Sequence, residues 1–260
     1  MHELIPEELN LDYIWQFRFD SYPEARLLMD EFNHSLQRNR LGGFDSTEWY
    51  TRQLAMLEIA LDSKLPRRST ITEFLASEKF ENLIDLGGGP GWLWAYLLKT
   101  NQAENLSYFN LELASSRLAF EYLTKDLPRM KFVELEELID LKSAKNLLYA
   151  NSVLQYFERN SELLRLIELT NSKCIILDDI AGSGDEFYSL QNYYGYLQVN
   201  RFANIEKLIH EVTQLGYSLM IRRPYDKNFS SKMIPRIWLG EAGNSDCEAP
   251  SSWTLVFTKN

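Results

Sequence analysis

Two hydrophobic periodicities divide the chain. Up to about Glu81, apolar residues recur every three or four positions, as one buried helix face requires. The pattern runs through ARLLMDEFNHSLQ, FDSTEWYTRQLAMLEIAL and STITEFLASEKF, so the first third reads as helices. The second of these segments has Asp45 three residues before Glu48, and the third has Thr70 three before Glu73. That is the spacing of a capping box, in which each side chain satisfies a backbone N–H at the other's position. Beyond Glu81, short apolar runs alternate with helical segments. NLIDL, LSYFNLE, MKFVEL, NLLYAN, CIILDDI, YSLMIRR and WTLVFTK read as strands, with helices over about 91–99, 115–124, 160–170 and 204–215. Gly216 follows the last helix where a left-handed C-cap belongs. Such alternation predicts a mostly parallel sheet covered by helices on both faces. The last two strands are joined by a long Pro- and Gly-containing connection, about Pro224 to Ser252, and no helix. They are therefore expected to pair antiparallel at one edge. The expected organisation is a helical cap region over residues 1–79 and an α/β domain with a seven-stranded sheet over residues 80–260.

Composition narrows the partners. The 260 residues, 45% of them hydrophobic, suffice for one substantial core. Lys and Arg number 27 against 37 Asp and Glu, a net charge of −10. That balance argues against a nucleic-acid partner, since duplex binding relies on cations that neutralise phosphates. The start, MHELIPEELN, is acidic and lacks the apolar stretch of a secretory signal. No apolar run has membrane-spanning length. With only Cys174 and Cys247, neither a disulfide framework nor a paired-cysteine zinc site can be read. The expectation is a cytoplasmic protein without a membrane span.

The chemistry begins where the first parallel strand ends. Within NLIDLGGGPGWLWAYLL, Gly87, Gly88, Gly89 and Gly91 occupy four of five successive positions. In a doubly wound sheet, ligands bind beyond the carboxyl ends of the strands. Glycine there permits positive φ and close approach of a ligand to the main chain. The phosphate-loop pattern is absent, because no Gly-Lys-Ser/Thr follows. The dinucleotide pattern GxGxxG also fails, its third glycine falling on Trp92 or Trp94. What fits is Asp85-x-Gly87-x-Gly89-x-Gly91, which resembles motif I of the class I S-adenosylmethionine-dependent methyltransferases. The resemblance implies a Rossmann-like class I methyltransferase fold, with an antiparallel last strand in its mostly parallel sheet. It also implies S-adenosylmethionine as cofactor, S-adenosylhomocysteine as product, and Asp85, Gly87, Gly89 and Gly91 around the cofactor's methionine part. Glu112, at the end of the second strand, stands where that family binds the ribose hydroxyls.

A second resemblance lies in NLLYANSVLQYFERNSELLRLIELTNSKCIILDDI. It is similar to a family of bacterial methyltransferases often associated with surface-polysaccharide gene clusters, whose fourth strand runs into Ser-Ser-Val-Leu-Gln-Tyr. Here the segment reads Asn151-Ser152-Val153-Leu154-Gln155-Tyr156, and the fifth strand ends Asp178-Asp179-Ile180 where that family more often has Asp-Arg-Thr. The resemblance covers roughly residues 41 to 226. It implies cofactor contacts for Asn151 and Ser152, and acceptor contacts for Tyr156 and Gln191.

Methyl transfer from a sulfonium requires mainly alignment of acceptor and methyl group. A hydroxyl acceptor also needs a general base. Asp178 and Asp179 are the catalytic candidates, with Tyr156 and His34 as weaker candidates for the base. Tyr156, Gln191, Tyr194 and His34 are the candidates for acceptor contact, the tyrosines because aromatic faces suit a sugar ring. Asn151, Asp178 and Asp179 are oxygen donors of the kind magnesium takes in catechol-type enzymes. That family carries Asp where Asn151 stands, so no metal is expected. The reading is O-methylation of a small molecule or saccharide. The alternatives are N- or C-methylation in a secondary-metabolite pathway, an inactive cofactor-binding subunit and, less well matched, a nicotinamide-dependent reductase.

Overall fold

The structure, a computed structural model, describes residues 14–35, 44, 46–62, 69–141, 145–193, 196–225 and 250–260. All seven expected strands form. They are β2 (Asn82–Leu86), β3 (Ser107–Leu111), β4 (Met130–Phe132), β5 (Asn146–Asn151), β6 (Cys174–Ser183), β9 (Tyr217–Pro224) and β10 (Ser251–Lys259). Three more complete a ten-stranded sheet: β1 (Trp15–Phe19), β7 (Phe187–Tyr193) and β8 (Tyr196–Asn204). The helices are α1 (Tyr22–Ser35), α2 (Thr47–Leu61), α3 (Ser69–Ser77), α4 (Trp92–Lys99), α5 (Ala114–Thr124), α6 (Ser161–Thr170) and α7 (Ile205–Gln214).

The central order is β4-β3-β2-β5-β6, all parallel, with β10 antiparallel to both β6 and the edge strand β9. This is the Rossmann-like arrangement expected. Alternate residues of each strand serve opposite faces. Ile84, Leu148, Ile175 and Leu177 pack under Leu163, Leu166 and Ile167 of α6 and Leu208 and Val212 of α7. Leu83, Tyr108, Leu147 and Ile176 pack under Leu93, Trp94 and Leu97 of α4. Each fully buried aliphatic side chain contributes about 1.5–3 kcal/mol, so both faces are needed for a stable domain. Trp94 belongs to this core: its ring stacks on Tyr108 with centroids 5.3 Å apart.

The helical reading of the first third needs correction, because Trp15–Phe19 is a strand antiparallel to β7. The first capping box falls partly on Asp45, outside the described residues. The cap observed on α2 is Ser46, whose hydroxyl accepts from the Trp49 backbone N–H at 3.1 Å. Helix α3 already begins at Ser69, so Thr70 lies inside it and accepts from Arg223 instead. Gly216 does take positive φ, +86°, after α7.

Strand β6 outruns its parallel neighbour. The last β5 pair is Asn151↔Asp178, and further along Gly182 and Ser183 pair with Ala203 and Asn204 of β8. The β1-β7-β8 unit therefore extends the sheet from the carboxyl edge, where the strand-end residues emerge. Helix α1 covers one face of it, with Ala25 packed among Tyr188, Leu190, Leu197 and Val199. Among the described residues, no helix is long and apolar enough to cross a membrane.

Candidate functional site

Parallel register brings the candidate residues to one edge. Leu86 pairs with Leu111 and Ala150, and Asn151 pairs with Asp178. The next residues along these strands are Gly87, Glu112, Ser152 and Asp179. The glycine turn is stitched to its neighbour by the Gly87 N–H donating to the Leu111 carbonyl at 2.9 Å.

The turn needs its glycines. Gly87, Gly89 and Gly91 have φ of +69°, +56° and +75°, a region that side chains other than glycine enter at a cost. A Cβ on Gly87 would lie 2.8 Å from Val153 Cγ2, and one on Gly89 would lie 2.8 Å from Gln53 Oε1 of α2. Beneath the turn, Asn110 Nδ2 donates to the Gly89 carbonyl at 2.7 Å. Asp85 is buried and accepts from the Tyr108 hydroxyl at 2.5 Å.

Glu112 joins the two motifs. Its carboxylate accepts the Gly89 N–H and the Leu113 N–H, each at 2.8 Å. Burial pushes the carboxyl above its ordinary 4.5, and the two N–H donors only partly oppose this. A carboxyl raised on folding binds its proton more readily in the folded chain. Its contribution to stability is therefore present at acid pH and lost as pH rises from 4.5 through the raised value.

The far side of the edge is irregular. In β10, Thr254 alone lies between the partners of Leu177 and Ile180, whereas β6 places Asp178 and Asp179 there. This bulge sends the two adjacent carboxylates to different partners. Asp178 accepts from Thr254 Oγ1 at 2.7 Å and approaches the Tyr149 hydroxyl at 3.4 Å. Asp179, at φ +53°, accepts from Ser252 Oγ at 2.6 Å and from Ser152 Oγ, whose own φ is +54°. Two non-glycine residues held in left-handed conformations and hydrogen-bonded to each other concentrate backbone strain here. Asn151 Oδ1 lies 3.1 Å from Ser152 Oγ, whose single hydrogen goes to Asp179, and its buried Nδ2 has no hydrogen-bond partner among the described residues.

Tyr156 reaches β7: its hydroxyl donates to Gln191 Oε1 at 3.0 Å, and Asn200 Nδ2 donates to the same oxygen at 3.3 Å. Burial raises the Tyr156 phenol well above its ordinary value, so at neutral pH it donates a hydrogen bond and does not serve as a base. Phe44 meets Tyr156 edge-on at 4.8 Å and Tyr193 at 5.1 Å, while Trp49 packs on Phe120 at 5.5 Å. These aromatics and Gln53 bring the N-terminal segments against the cleft.

The fold thus gathers Asp85, Gly87, Gly89, Gly91, Glu112, Asn151, Ser152, Tyr156, Asp178, Asp179 and Gln191 around one strand edge. His34 is not among them. It is exposed near the end of α1, and α1 covers the face of β7–β8 opposite Gln191 and Asn200. Tyr194 lies outside the described residues. Sequence reasoning missed Gln53, Asn110, Ser252 and Thr254. Only Asn110, a polar residue inside an apolar strand, carried a visible signal. No cluster of His, Cys, Asp and Glu suited to a metal occurs among the described residues.

No family model matches the sequence, and no curated protein matches it. Solved structures do match. A coclaurine N-methyltransferase bound to N-methylheliamine and S-adenosylhomocysteine superimposes with a TM-score of 0.50 at 13% identity, over 92% of this chain and 89% of its own. A 1,6-didemethyltoxoflavin-N1-methyltransferase from Burkholderia thailandensis gives 0.49 at 11% identity, again over 92% and 89%. The O-methyltransferase NcsB1 of neocarzinostatin biosynthesis gives 0.46 at 13% identity, over 92% of this chain and 70% of that one. The fold is the Rossmann-like class I methyltransferase fold.

Proposed function

We propose that the chain is an S-adenosylmethionine-dependent methyltransferase acting on an oxygen of a small-molecule or saccharide acceptor. The observation that carries this reading is the glycine turn bonded to a partly buried carboxylate at the end of the neighbouring strand. A Cβ at Gly87 or Gly89 would collide with Val153 or Gln53, so only bare backbone fits this turn, and Glu112 retains acceptor capacity for ribose hydroxyls beyond its two N–H bonds. The residues present therefore fit the cofactor, which when bound supplies a methyl group on a sulfonium.

Around it, the chain's own groups position and deprotonate. Asp85 and Gly87–Gly91 line the methionine end, Glu112 the ribose, and Asn151 and Ser152 the wall facing the acceptor. Of the N-terminal region, the segment with Phe44 and α2 acts as a cap, with Gln53 against the turn and Phe44 against Tyr156. Asp179, bonded to the strained Ser152, takes the acceptor's proton. Asp178, tied to Thr254 inside the sheet, positions the bulge. Tyr156 and Gln191 orient the acceptor. Oxygen as the methylated atom rests on Asp179, and a saccharide acceptor rests on the sequence resemblance.

Cofactor carrying a labelled methyl group, incubated with a panel of hydroxylated small molecules and sugars, tests the reaction. Label on an oxygen is the expected outcome. Label on nitrogen or carbon would move the protein to another methyltransferase class, and no transfer at all would favour a binding subunit. Activity is expected to survive exhaustive chelation with EDTA. Complete loss restored by magnesium would instead make Asp178 and Asp179 ligands.

Replacing Glu112 with Ala is expected to weaken adenosylhomocysteine about ten- to a hundredfold, because charge-assisted hydrogen bonds to the ribose are lost. Replacing the exposed Glu137 with Ala should leave that affinity unchanged. Calorimetric titration of the three proteins checks this, and equal affinities would remove Glu112 from the ribose site.

A further inference from the structure

A cavity of about 330 Å³ lies beside the N-termini of α6 and α7, away from the site described above. Arg201 lines it from β8 and is 2% exposed. Because Arg201 is adjacent to Asn200 in the strand, it faces away from Tyr156 and Gln191. Its Nη2 donates to Asn160 Oδ1 at 2.7 Å, and its Nη1 stands 3.7 Å from Glu186 Oε2, beyond hydrogen-bond length. Among the described residues, Nε and Nη1 have no hydrogen-bond partner. A buried guanidinium with open donors is costly unless something supplies acceptors.

The adjoining helix start is open as well. Asn160 occupies the N-cap position of α6 yet makes no capping bond, because its side chain is committed to Arg201 and to Glu211 Oε2 at 2.6 Å. First-turn N–H groups left in this way attract a negative group. The lining carries both signs of charge: Arg159, Arg201 and Lys207 against Glu186 and Glu211, with Glu162 acting on Arg201 from the first turn of α6. A doubly charged phosphate would meet these carboxylates with excess negative charge. A simple amine would leave the guanidinium open. A liquid water occupies about 30 Å³, so the volume suits a molecule of amino-acid size.

We propose that this cavity is a second ligand site, for a small zwitterion of the amino-acid class. Arg201 and the α6 N-terminus hold its carboxylate, and Glu186 and Glu211 hold its ammonium group. The site shares no residue with the methyl-transfer site and does not depend on that reading.

Glycine, L-leucine and L-glutamate are titrated separately into the full chain by calorimetry, with acetate, ethylamine and inorganic phosphate as comparators. At least one amino acid is expected to bind, with acetate and ethylamine at least tenfold weaker. Arg201→Met should abolish this binding. Because loss of a buried arginine can unfold a chain, the exposed Lys207→Ala variant is measured too, with an expected weakening of about threefold and unchanged affinity for adenosylhomocysteine. No binding by any of the three amino acids, binding by phosphate alone, or undiminished binding in a folded Arg201→Met variant would overturn the proposal.

Discussion

A Gly89→Val variant is expected to fold and to lose adenosylhomocysteine binding by a hundredfold or more, about 2.7 kcal/mol. Three effects act together at this position. Valine must adopt φ +56°, which costs roughly 1–2 kcal/mol for a residue with a Cβ. Its Cβ would lie 2.8 Å from Gln53 Oε1, so the α2 side chain has to move off the turn. The shifted backbone also misdirects the Gly89 N–H that holds Glu112, which couples damage at the methionine end to the ribose end. The β2–α4 core of Leu83, Leu93 and Leu97 is untouched, so cooperative unfolding should persist at a modestly lower Tm. Thermal melts and calorimetry on the same preparation separate the two effects. A folded variant with parental affinity would show that the turn is not the cofactor cradle.

The second large effect is expected at the bulge. Asp179→Asn keeps the volume but removes the basic carboxylate, and loss of a general base lowers kcat by about 10²- to 10⁴-fold. Affinity for adenosylhomocysteine should stay within about twofold, since Asp179 reaches the cofactor only through Ser152, a bond that the Asn side chain can still accept. Asp178→Asn gives the contrasting pattern. It disturbs a buried bond to Thr254, so loss of stability by about 1–3 kcal/mol should dominate. Turnover is measured with an acceptor identified by label transfer. Full activity in Asp179→Asn would leave the proton to solvent or to another residue, and would remove the main argument for oxygen.

The parts of the fold that could be read from sequence are those whose environment is uniform. Strands β2, β5 and β6 are covered on both faces and therefore appear as unbroken apolar runs. Strands β7 and β8 were not recognised as strands. Gln191, Asn200 and Arg201 interrupt their apolar alternation, because Gln191 is bonded to Tyr156 and Asn200 while Arg201 is bonded to Asn160 and lines a cavity. Strand β1 is five residues long and sits directly before a helix, which masks its period.

The site divides in the same way. Asp85 to Gly91 form a local motif, and Glu112 ends the second strand where the resembled family carries an acid, so both were legible. Gln53, Ser252 and Thr254 arrive from distant segments, where nothing in their neighbours sets them apart. The bulge that parts Asp178 from Asp179 depends on pairing with β10, far away in sequence. Two adjacent acids at the end of an apolar strand could mark a bulge, a metal site or a solvated turn equally well.

The central claim is that the glycine turn and Glu112 bind adenosylmethionine. Calorimetric titration of adenosylhomocysteine into the parent chain, with NADH as the comparator, tests it most directly. The account predicts saturable one-site binding in the micromolar range, a Tm that rises with ligand concentration, and no heat of binding from NADH. Saturable binding of NADH with no response to adenosylhomocysteine would contradict it.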